Sequence, residues 1–172
     1  TGAADYQTWM SLLLSTGDPD RKGTAFDCMY PLTSTTIQTV KSNGYTIVGR
    51  YLTGGTNKVL TNSEIALING NGLSFFPIYQ DVGNALEYFG YADGVSAGTA
   101  ACAAAHGFGI PYGTVIYFSV DFDVQDTEIT SVIIPHFQGV RDAVAADGNQ
   151  YAVGVYGCRN VGLRLQSAGL AS

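Results

Sequence analysis

Five short apolar segments, each followed by a segment with helical character, constrain the fold of this chain more than any other feature. The apolar segments are rich in β-branched and aromatic residues, which predicts strands. The predicted strands are Thr24–Cys28, Thr46–Leu52, Leu73–Gln80, Thr114–Asp123 and Tyr151–Gly157. Strands without a polar face are buried on both sides, which is typical of a parallel sheet covered by helices. The alternation therefore predicts an α/β protein, and both an open doubly wound sheet and a (β/α) barrel fit it.

The segments between the predicted strands carry helix signals. Thr33 or Ser34 is placed to cap the first helix, and Thr61 and Glu64 form a capping box at the start of the second. The later helices are expected to be the alanine-rich Ser96–His106, an amphipathic helix over Ile129–Val144 that Pro135 kinks, and Arg159–Ala168.

The chain is expected to divide into a lead-in segment and one domain. Residues 1–23 form the lead-in segment, in which apolar residues from Tyr6 to Leu13 lie at the spacing of a short helix. Residues 24–172 form the domain. A complete (β/α) barrel has eight units in about 250 residues, so a barrel would have only about its first five units here, truncated at the C-terminal end.

Composition and charge exclude some classes of partner. The formal net charge is −6, and the eight lysine and arginine residues are not clustered, which argues against a nucleic-acid ligand. The longest apolar runs, such as Val115–Val120, are too short to span a membrane. Cys28, Cys102 and Cys158 form no CxxC motif, and three buried thiols are favoured over one disulfide with a free thiol.

Acidic residues lie at the end of the most apolar of the predicted strands. Because side chains alternate between the two faces of a strand, Tyr117, Asp121 and Asp123 share one face. Asp27 closes the first predicted strand in a similar way. Active sites of parallel α/β proteins form at the carboxyl ends of the strands. Asp27, Asp121 and Asp123 are therefore expected to meet in one cleft as catalytic carboxylates.

Polar and aromatic residues at the ends of the other predicted strands are expected to line the same cleft. They would form a pocket that binds substrate, with the arginine among them balancing the acids. The expected substrate-binding residues are Arg50, Tyr51, Tyr79, Gln80, Tyr117 and Tyr156. No metal ligand and no cofactor are expected, since the two histidines lie thirty residues apart, at His106 and His136.

Five ordered motifs carry a resemblance to a known family. They are Phe26-Asp-Cys28 with Pro31, Val48-Gly-Arg-Tyr-Leu-Thr-Gly54, Phe76-Pro-Ile-Tyr-Gln80, Ile116-Tyr-Phe-Ser-Val-Asp-Phe-Asp123 and Val153-Gly-Val-Tyr-Gly157. Together they resemble the glycoside-hydrolase-like domain family of unknown function in bacterial extracellular proteins. That family is similar to the lysozymes of glycoside hydrolase family 25. The resemblance spans about residues 15–170.

The resemblance implies a TIM-like barrel that acts on polysaccharide or peptidoglycan outside the cell or at the cell wall. Asp27 matches the acidic residue of the first strand in the family, and Asp121 and Asp123 match the acidic pair of the fourth. The lysozyme relatives have Glu as the proton donor where this chain has Asp123, whose side chain is one methylene shorter. The resemblance also implies three further strands, which a second chain or another domain would supply.

Three alternatives remain open on the sequence alone. Gly94-Val-Ser-Ala-Gly98 matches the nucleophile elbow of esterases, with Asp121 and His136 in the order of that triad, but no strand is predicted directly before it. The Asp121-Phe-Asp123-Val segment also resembles the start of magnesium-dependent phosphotransferases, which generally open with this strand. Finally, a barrel that has lost turnover would be a non-catalytic module that binds the cell wall.

Overall fold

The strands pair in the order in which they follow one another in the chain. A computed structural model describes residues 22–172 and contains a parallel sheet in the order β1-β2-β3-β4-β5. The strands are Ala25–Asp27 (β1), Ile47–Tyr51 (β2), Ser74–Tyr79 (β3), Val115–Val120 (β4) and Ala152–Gly157 (β5). The helices are Ser34–Ser42 (α1), Asn62–Gly70 (α2), Tyr91–Gly107 (α3), Asp126–Glu128 (α4), Ile134–Ala146 (α5) and Arg159–Ser167 (α6). The predicted helix between Tyr6 and Leu13 lies outside the described residues.

The sequential strand order separates the two candidate architectures. A doubly wound sheet reverses its strand order at a switch point, and this sheet has no reversal among the residues described. Parallel crossovers are right-handed in nearly all proteins, so strands in chain order receive their connecting helices on one face. The fold is therefore α/β with parallel strands and helices in alternation, as predicted, and it is consistent with a partial TIM-like barrel.

The helix-facing side of the sheet carries the hydrophobic core. Val48 of β2 packs in a cluster with Ile37 of α1 and Ile68 of α2. Phe118 of β4 packs with Phe137 of α5, with ring centroids 6.4 Å apart in an edge-on arrangement. All five side chains are at most 2% exposed, and full burial of a side chain of this size contributes about 1.5–3 kcal/mol. These contacts hold the helices against one face of the sheet and leave the other face open.

The open face of the sheet is concave. The hydroxyl of Tyr156 on β5 lies 3.5 Å from Oδ1 of Asp27 on β1. A flat sheet with strands about 4.8 Å apart would separate these two strands by about 19 Å. Gly49 permits close packing on this face, because a Cβ atom there would lie 2.5 Å from the ring of Phe76. The curvature brings the carboxyl ends of the first and last strands to one mouth.

The helices agree with the sequence patterns except at some boundaries. Thr33 caps α1 through a hydrogen bond from the backbone N–H of Thr36, as expected. The alanine-rich helix α3 begins at Tyr91 rather than at the predicted Ser96. A π-helical turn over Ile129–Ile133 joins α4 to α5, so the helix predicted over Ile129–Val144 is divided, and Pro135 is the second residue of α5.

Candidate active site

A cleft of about 1000 Å³ runs along the concave face, from Ala25 and Ile47 at the amino ends of β1 and β2 to the carboxyl ends of β4 and β5. Phe76 and Tyr117 lie on its wall with their rings edge to face at 5.2 Å. Asp121 and Asp123 line the mouth, together with Tyr156 at the end of β5. The cleft therefore combines an aromatic wall with an acidic rim, which is a surface suited to neutral polar ligands such as sugars.

Asp27 lies between two tyrosine hydroxyl groups at this mouth. The hydroxyl of Tyr51 donates to Oδ2 of Asp27 at 3.4 Å, and the hydroxyl of Tyr156 donates to Oδ1 at 3.5 Å. Burial and the Asp27 charge raise the pKa of Tyr51 to about 12. The same two causes raise the pKa of Tyr156. Both hydroxyls therefore keep their protons at neutral pH and present a donor to each oxygen of Asp27.

Asp121 is held by two contacts from the loop that follows β3. Nε2 of Gln80 donates to Oδ2 of Asp121 at 3.1 Å. The backbone N–H of Asp121 donates to the carbonyl of Gly83 at 2.9 Å. Strand β4 ends at Val120, so Asp121 and Asp123 lie just beyond the strand that the sequence extended through both. The loop contacts replace the predicted strand pairing in orienting Asp121.

Asp123 differs from its neighbour Asp121 in having a free carboxyl group. Its side chain is exposed and forms no hydrogen bond or ion pair with any residue in the described range 22–172. It nevertheless lines the same cleft as Asp121. The Asp-x-Asp segment thus presents one carboxylate that is anchored by an amide and one that is free to contact a ligand.

Lys58 is a member of this site that the sequence did not indicate. Its Nζ atom donates to the backbone carbonyl of Gln80 at 3.0 Å and to Oε1 of Gln80 at 3.2 Å. It also lies 4.3 Å from the centroid of the Tyr51 ring, within the range of a cation–π interaction. Burial lowers the pKa of Lys58, and the charges of Asp81 and Asp121 oppose that shift. Only the glycine-rich stretch after the second strand marks this loop in the sequence.

Arg50 does not reach the cleft, so the expectation that it would balance the acids there is corrected. Its side chain is fully buried on the opposite face of β2, where Nε and Nη2 donate to Glu64 of α2 at 2.7 and 3.1 Å. Nη1 donates to the carbonyl of Cys28 at 2.6 Å. Adjacent residues of a strand point to opposite faces, so Arg50 cannot share the face of Tyr51. Because the Glu64 side chain binds Arg50, the predicted capping box of Thr61 and Glu64 is only half formed. The backbone N–H of Glu64 donates to the hydroxyl of Thr61, but the Glu64 side chain does not bond back to Thr61.

Tyr79 is also placed away from the cleft, for the same reason. Its ring packs against Phe118 on the helix-facing side, with centroids 5.6 Å apart, and it lines a smaller cavity of about 270 Å³. The next residue, Gln80, points to the concave face and contacts Asp121. Of the predicted site residues, the structure therefore brings together Asp27, Tyr51, Gln80, Tyr117, Asp121, Asp123 and Tyr156.

The esterase arrangement is not formed. Ser96 lies within α3, and its hydroxyl donates to the carbonyl of Ala92 one turn earlier in the same helix. Nδ1 of His136 contacts the backbone carbonyl of Gly90 at 3.2 Å and not a carboxylate. Asp121 lines the cleft on the concave face of the sheet. No strand precedes Ser96 directly, as the sequence indicated.

Three further predictions concern the cysteines, the membrane and metals. All three cysteines are free thiols, but only Cys102 is buried, while Cys28 is partly buried and Cys158 is exposed beside the cleft. The prediction of three buried thiols is therefore wrong for two of them. Within residues 22–172, no helix has both the length and the apolar character needed to cross a bilayer. The same residues contain no group of three His, Cys, Asp or Glu side chains arranged to hold a metal ion.

The sheet and its acidic cleft define a glycoside-hydrolase-like α/β domain. A model of the family described as "Rv2525c-like, glycoside hydrolase-like domain" matches residues 38–172, and the chain belongs to this family. The chain is 44% identical over 176 residues to the uncharacterized protein FadG of Bacillus subtilis (strain 168), covering 99% of this chain and 31% of FadG. It is 43% identical over 185 residues to YbfG of the same organism, covering 99% of this chain and 25% of YbfG. The chain thus spans less than a third of these relatives.

Solved structures show the same fold. The Tat-secreted protein Rv2525c of Mycobacterium tuberculosis, crystallised with HEPES, has a TM-score of 0.69 at 22% identity, over 85% of this chain and 74% of that one. An uncharacterized Bacillus stearothermophilus protein has a TM-score of 0.62 at 26% identity, over 76% of this chain and 58% of that one. The family match confirms the glycoside-hydrolase-like domain family, and the solved structures support an α/β fold that is consistent with a partial TIM-like barrel.

Proposed function

We propose that this domain is a glycoside hydrolase that cleaves bacterial cell-wall glycan, with peptidoglycan as its substrate. The observation that carries the proposal is the arrangement of three carboxyl groups at the carboxyl ends of the strands: Asp121 and Asp123 line the cleft, and Asp27 is joined to it by the hydroxyl of Tyr156. Asp27 and Asp121 accept side-chain hydrogen bonds, and Asp123 accepts none from residues 22–172. Glycosidases generally use two carboxyl groups on either side of the scissile bond, one of which donates a proton. The family match supports the glycosidase class, and the resemblance to family 25 lysozymes supports the substrate.

In the proposed reaction the three carboxyl groups have different roles. Asp123 donates a proton to the glycosidic oxygen, because it is the carboxyl group free to approach a ligand. A glycan that fills the cleft excludes water, and exclusion of water favours the protonated form of a carboxyl group. Asp121 and Asp27 are held in place by hydrogen bonds from Gln80 and from two tyrosines. They stabilise the positive charge that develops on the sugar ring as the glycosidic bond breaks. A water molecule that enters when the leaving sugar departs then adds to the anomeric carbon and returns a proton to Asp123.

The aromatic wall of the cleft supports a carbohydrate substrate. Phe76, Tyr117 and Tyr156 present ring surface and hydroxyl groups on the concave face. Such side chains combine an apolar face for the carbon skeleton of a sugar with polar groups for its hydroxyls. The proposed reaction needs no cofactor.

We further propose that the domain acts outside the cell and that additional strands complete its barrel. The structurally similar protein Rv2525c is Tat-secreted, which supports the proposal that this domain is exported. Within residues 22–172 the outer edges of β1 and β5 pair with no other strand. Open parallel edges tend to pair with further strands, which another segment of the protein or a second chain can supply.

A non-catalytic module that binds the cell wall is the second candidate. The observation that favours it is Asp123, whose carboxyl group is one methylene shorter than the glutamate of the lysozyme relatives. A displacement of about 1 Å in a reacting group can reduce the rate about a hundredfold. In that case the cleft binds glycan strands without cleaving them.

Two measurements on the same protein separate the candidates. Purified protein that carries the domain is incubated with insoluble peptidoglycan, and both the release of reducing sugar and co-sedimentation are measured. We expect release that falls about 10²- to 10⁴-fold in Asp123→Asn, the usual effect of losing a general acid. Asp121→Asn is expected to reduce release, whereas Asp142→Asn, a change on the exposed surface of α5, is expected to leave it unchanged.

The variant Asp123→Glu tests the reach of the proton donor. If the short side chain limits catalysis, the longer carboxyl group increases sugar release above the wild-type rate. Co-sedimentation without release in either protein supports the binding module. Absence of both release and co-sedimentation contradicts both candidates.

A further inference from the structure

The loop after β2 folds back over the cleft and places one lysine there. The backbone N–H groups of Lys58 and Val59 donate to the carbonyl of Gly55 at 2.8 and 3.1 Å, and Val59 forms an isolated bridge with Tyr51. Gly54 has a φ of +123°, and a Cβ atom there would lie 2.9 Å from Cδ of Lys58. The turn therefore needs glycine at position 54, both for its backbone conformation and for the lysine stem that packs beside it.

The contacts of Lys58 determine the orientation of the Gln80 amide. An ammonium group can only donate, so the Gln80 oxygen that contacts Lys58 at 3.2 Å must be the carbonyl oxygen Oε1. The amide nitrogen Nε2 then points to Asp121, at 3.1 Å from Oδ2. Nε2 is a donor, and the carboxyl oxygen of Asp121 accepts this bond. The positive charge of Lys58 thus determines which end of the Gln80 amide faces Lys58 and which end donates to Asp121.

We propose that Lys58 is a positioning residue that acts through Gln80 to fix the orientation of the Asp121 side chain. Its effect is to divide the Asp-x-Asp segment into an anchored carboxyl group at Asp121 and a carboxyl group at Asp123 that has no hydrogen-bond partner among residues 22–172. The assignment of Asp123 as proton donor rests on the proposed function, whereas the contact chain from Lys58 to Asp121 does not.

The charged side chains named around Asp121 are carboxyl groups, apart from Lys58. The carboxyl groups that face this part of the cleft are Asp27 on β1, Asp81 on the loop after β3 and Asp123 on the same segment as Asp121. The hydroxyls of Tyr51 and Tyr156 lie among them. In this group of residues, Lys58 is the one basic side chain. Its loss leaves the carboxyl groups without a neighbouring positive charge.

The test measures the orientation of the Asp121 side chain by NMR at neutral pH, in the full protein with no added ligand, through the three-bond couplings that report its χ1 angle. In Lys58→Met we expect these couplings to move from those of one rotamer toward the average over several rotamers, because the Gln80 amide loses the cation that fixes it. Lys58→Arg retains a charged donor and is expected to change the couplings by less than half of that. Lys41→Met is the matched control, because Nζ of Lys41 donates to the Asn71 carbonyl away from the cleft and its loss leaves the couplings unchanged.

A second variant keeps the proposal testable if Lys58→Met does not fold. Gln80→Leu removes the amide donor while Lys58 remains, and its Asp121 couplings are also expected to move toward a rotamer average. Unchanged couplings in every folded variant of the two positions overturn the proposal, whatever the protein does to glycans. If wild-type protein hydrolyses peptidoglycan, Lys58→Met lowers kcat with little change in KM, and Lys58→Arg restores at least part of the lost kcat. If the wild-type protein has no hydrolase activity, the kinetic comparison cannot be made. The proposed function then fails, and the NMR result alone tests the role of Lys58.

Discussion

The buried pair of Arg50 and Glu64 allows a quantitative prediction about stability. The side chains are 0% and 3% exposed, and two hydrogen bonds join them. Arg50 also donates to the carbonyl of Cys28, and Oε1 of Glu64 accepts from the backbone N–H of Leu32 at 2.8 Å. The pair therefore ties β1, β2 and α2 to the segment that precedes α1. Arg50→Met removes the cation and leaves the carboxylate of Glu64 buried without its partner.

The expected cost follows from the burial of both charges. Breaking a buried ion pair by removing one partner costs about 3–5 kcal/mol, a large share of the roughly 5–15 kcal/mol that stabilises a typical domain. Glu64→Met is expected to cost about as much, because it leaves the guanidinium of Arg50 unpaired. The double variant removes both charges and mainly leaves the backbone N–H of Leu32 without an acceptor. An unsatisfied buried donor costs about 1–3 kcal/mol, so the double variant should be more stable than either single variant.

Urea unfolding followed by circular dichroism measures these free energies. The matched control is Arg164→Met, which breaks the pair of Arg164 and Asp126, whose side chains are 34% and 66% exposed. Exposed pairs contribute about 0–1 kcal/mol, so the control is expected to unfold near the wild-type midpoint. A cost below about 1 kcal/mol for Arg50→Met, or additive costs in the double variant, would refute the account of a buried pair whose charges depend on each other.

Two further predictions concern the contact between α3 and α5. Burial lowers the pKa of His136 below its usual value, against the Gly90 hydrogen bond and the Asp93 charge, so the folded state is stabilised above about pH 6.5 and loses that contribution as the pH falls. Thermal unfolding between pH 7.5 and 5.5 should therefore show a weaker pH dependence in His136→Gln, and a wild-type dependence in the exposed control Gln138→Ala. Gly94→Ala should cost about 1–3 kcal/mol or more in urea unfolding, because its Cβ atom would lie 1.9 Å from the carbonyl oxygen of His136. Gly107→Ala in the same helix meets nothing within 4 Å, and a cost as large as that of Gly94→Ala would contradict this explanation.

The parallel sheet and the meeting of the acids could be predicted from the sequence because both follow from local rules. Apolar runs separated by capped helices specify parallel strands, and carboxyl ends of parallel strands lie at one edge of a sheet. Asp27 and Asp121 are far apart in the chain, but each directly ends or follows a strand. That position alone was enough to place both at one mouth.

The same rules, applied more strictly, would have excluded two predicted site residues. Arg50 and Tyr51 are neighbours on β2, and Tyr79 and Gln80 are neighbours at the end of β3, so only one member of each pair can face the cleft. Which member of each pair faces the cleft depends on the register of the whole sheet, and this register cannot be read from the sequence alone. Lys58 could not be predicted in this way, because its position depends on how a loop folds back on Tyr51 and not on a repeating pattern.

The pair that was wrongly assigned to the cleft nevertheless bears on it. Arg50 precedes the end of β2, and Glu64 lies in the first turn of α2, so their ion pair joins the two ends of the loop that carries Lys58. A loop whose ends are fixed loses less conformational entropy when its middle is ordered. The buried pair on the helix face therefore reduces the cost of holding Lys58 over Gln80 on the concave face. Arg50 can thus affect the position of Lys58 in the site from the helix-facing side of the sheet, without contacting a ligand in the cleft.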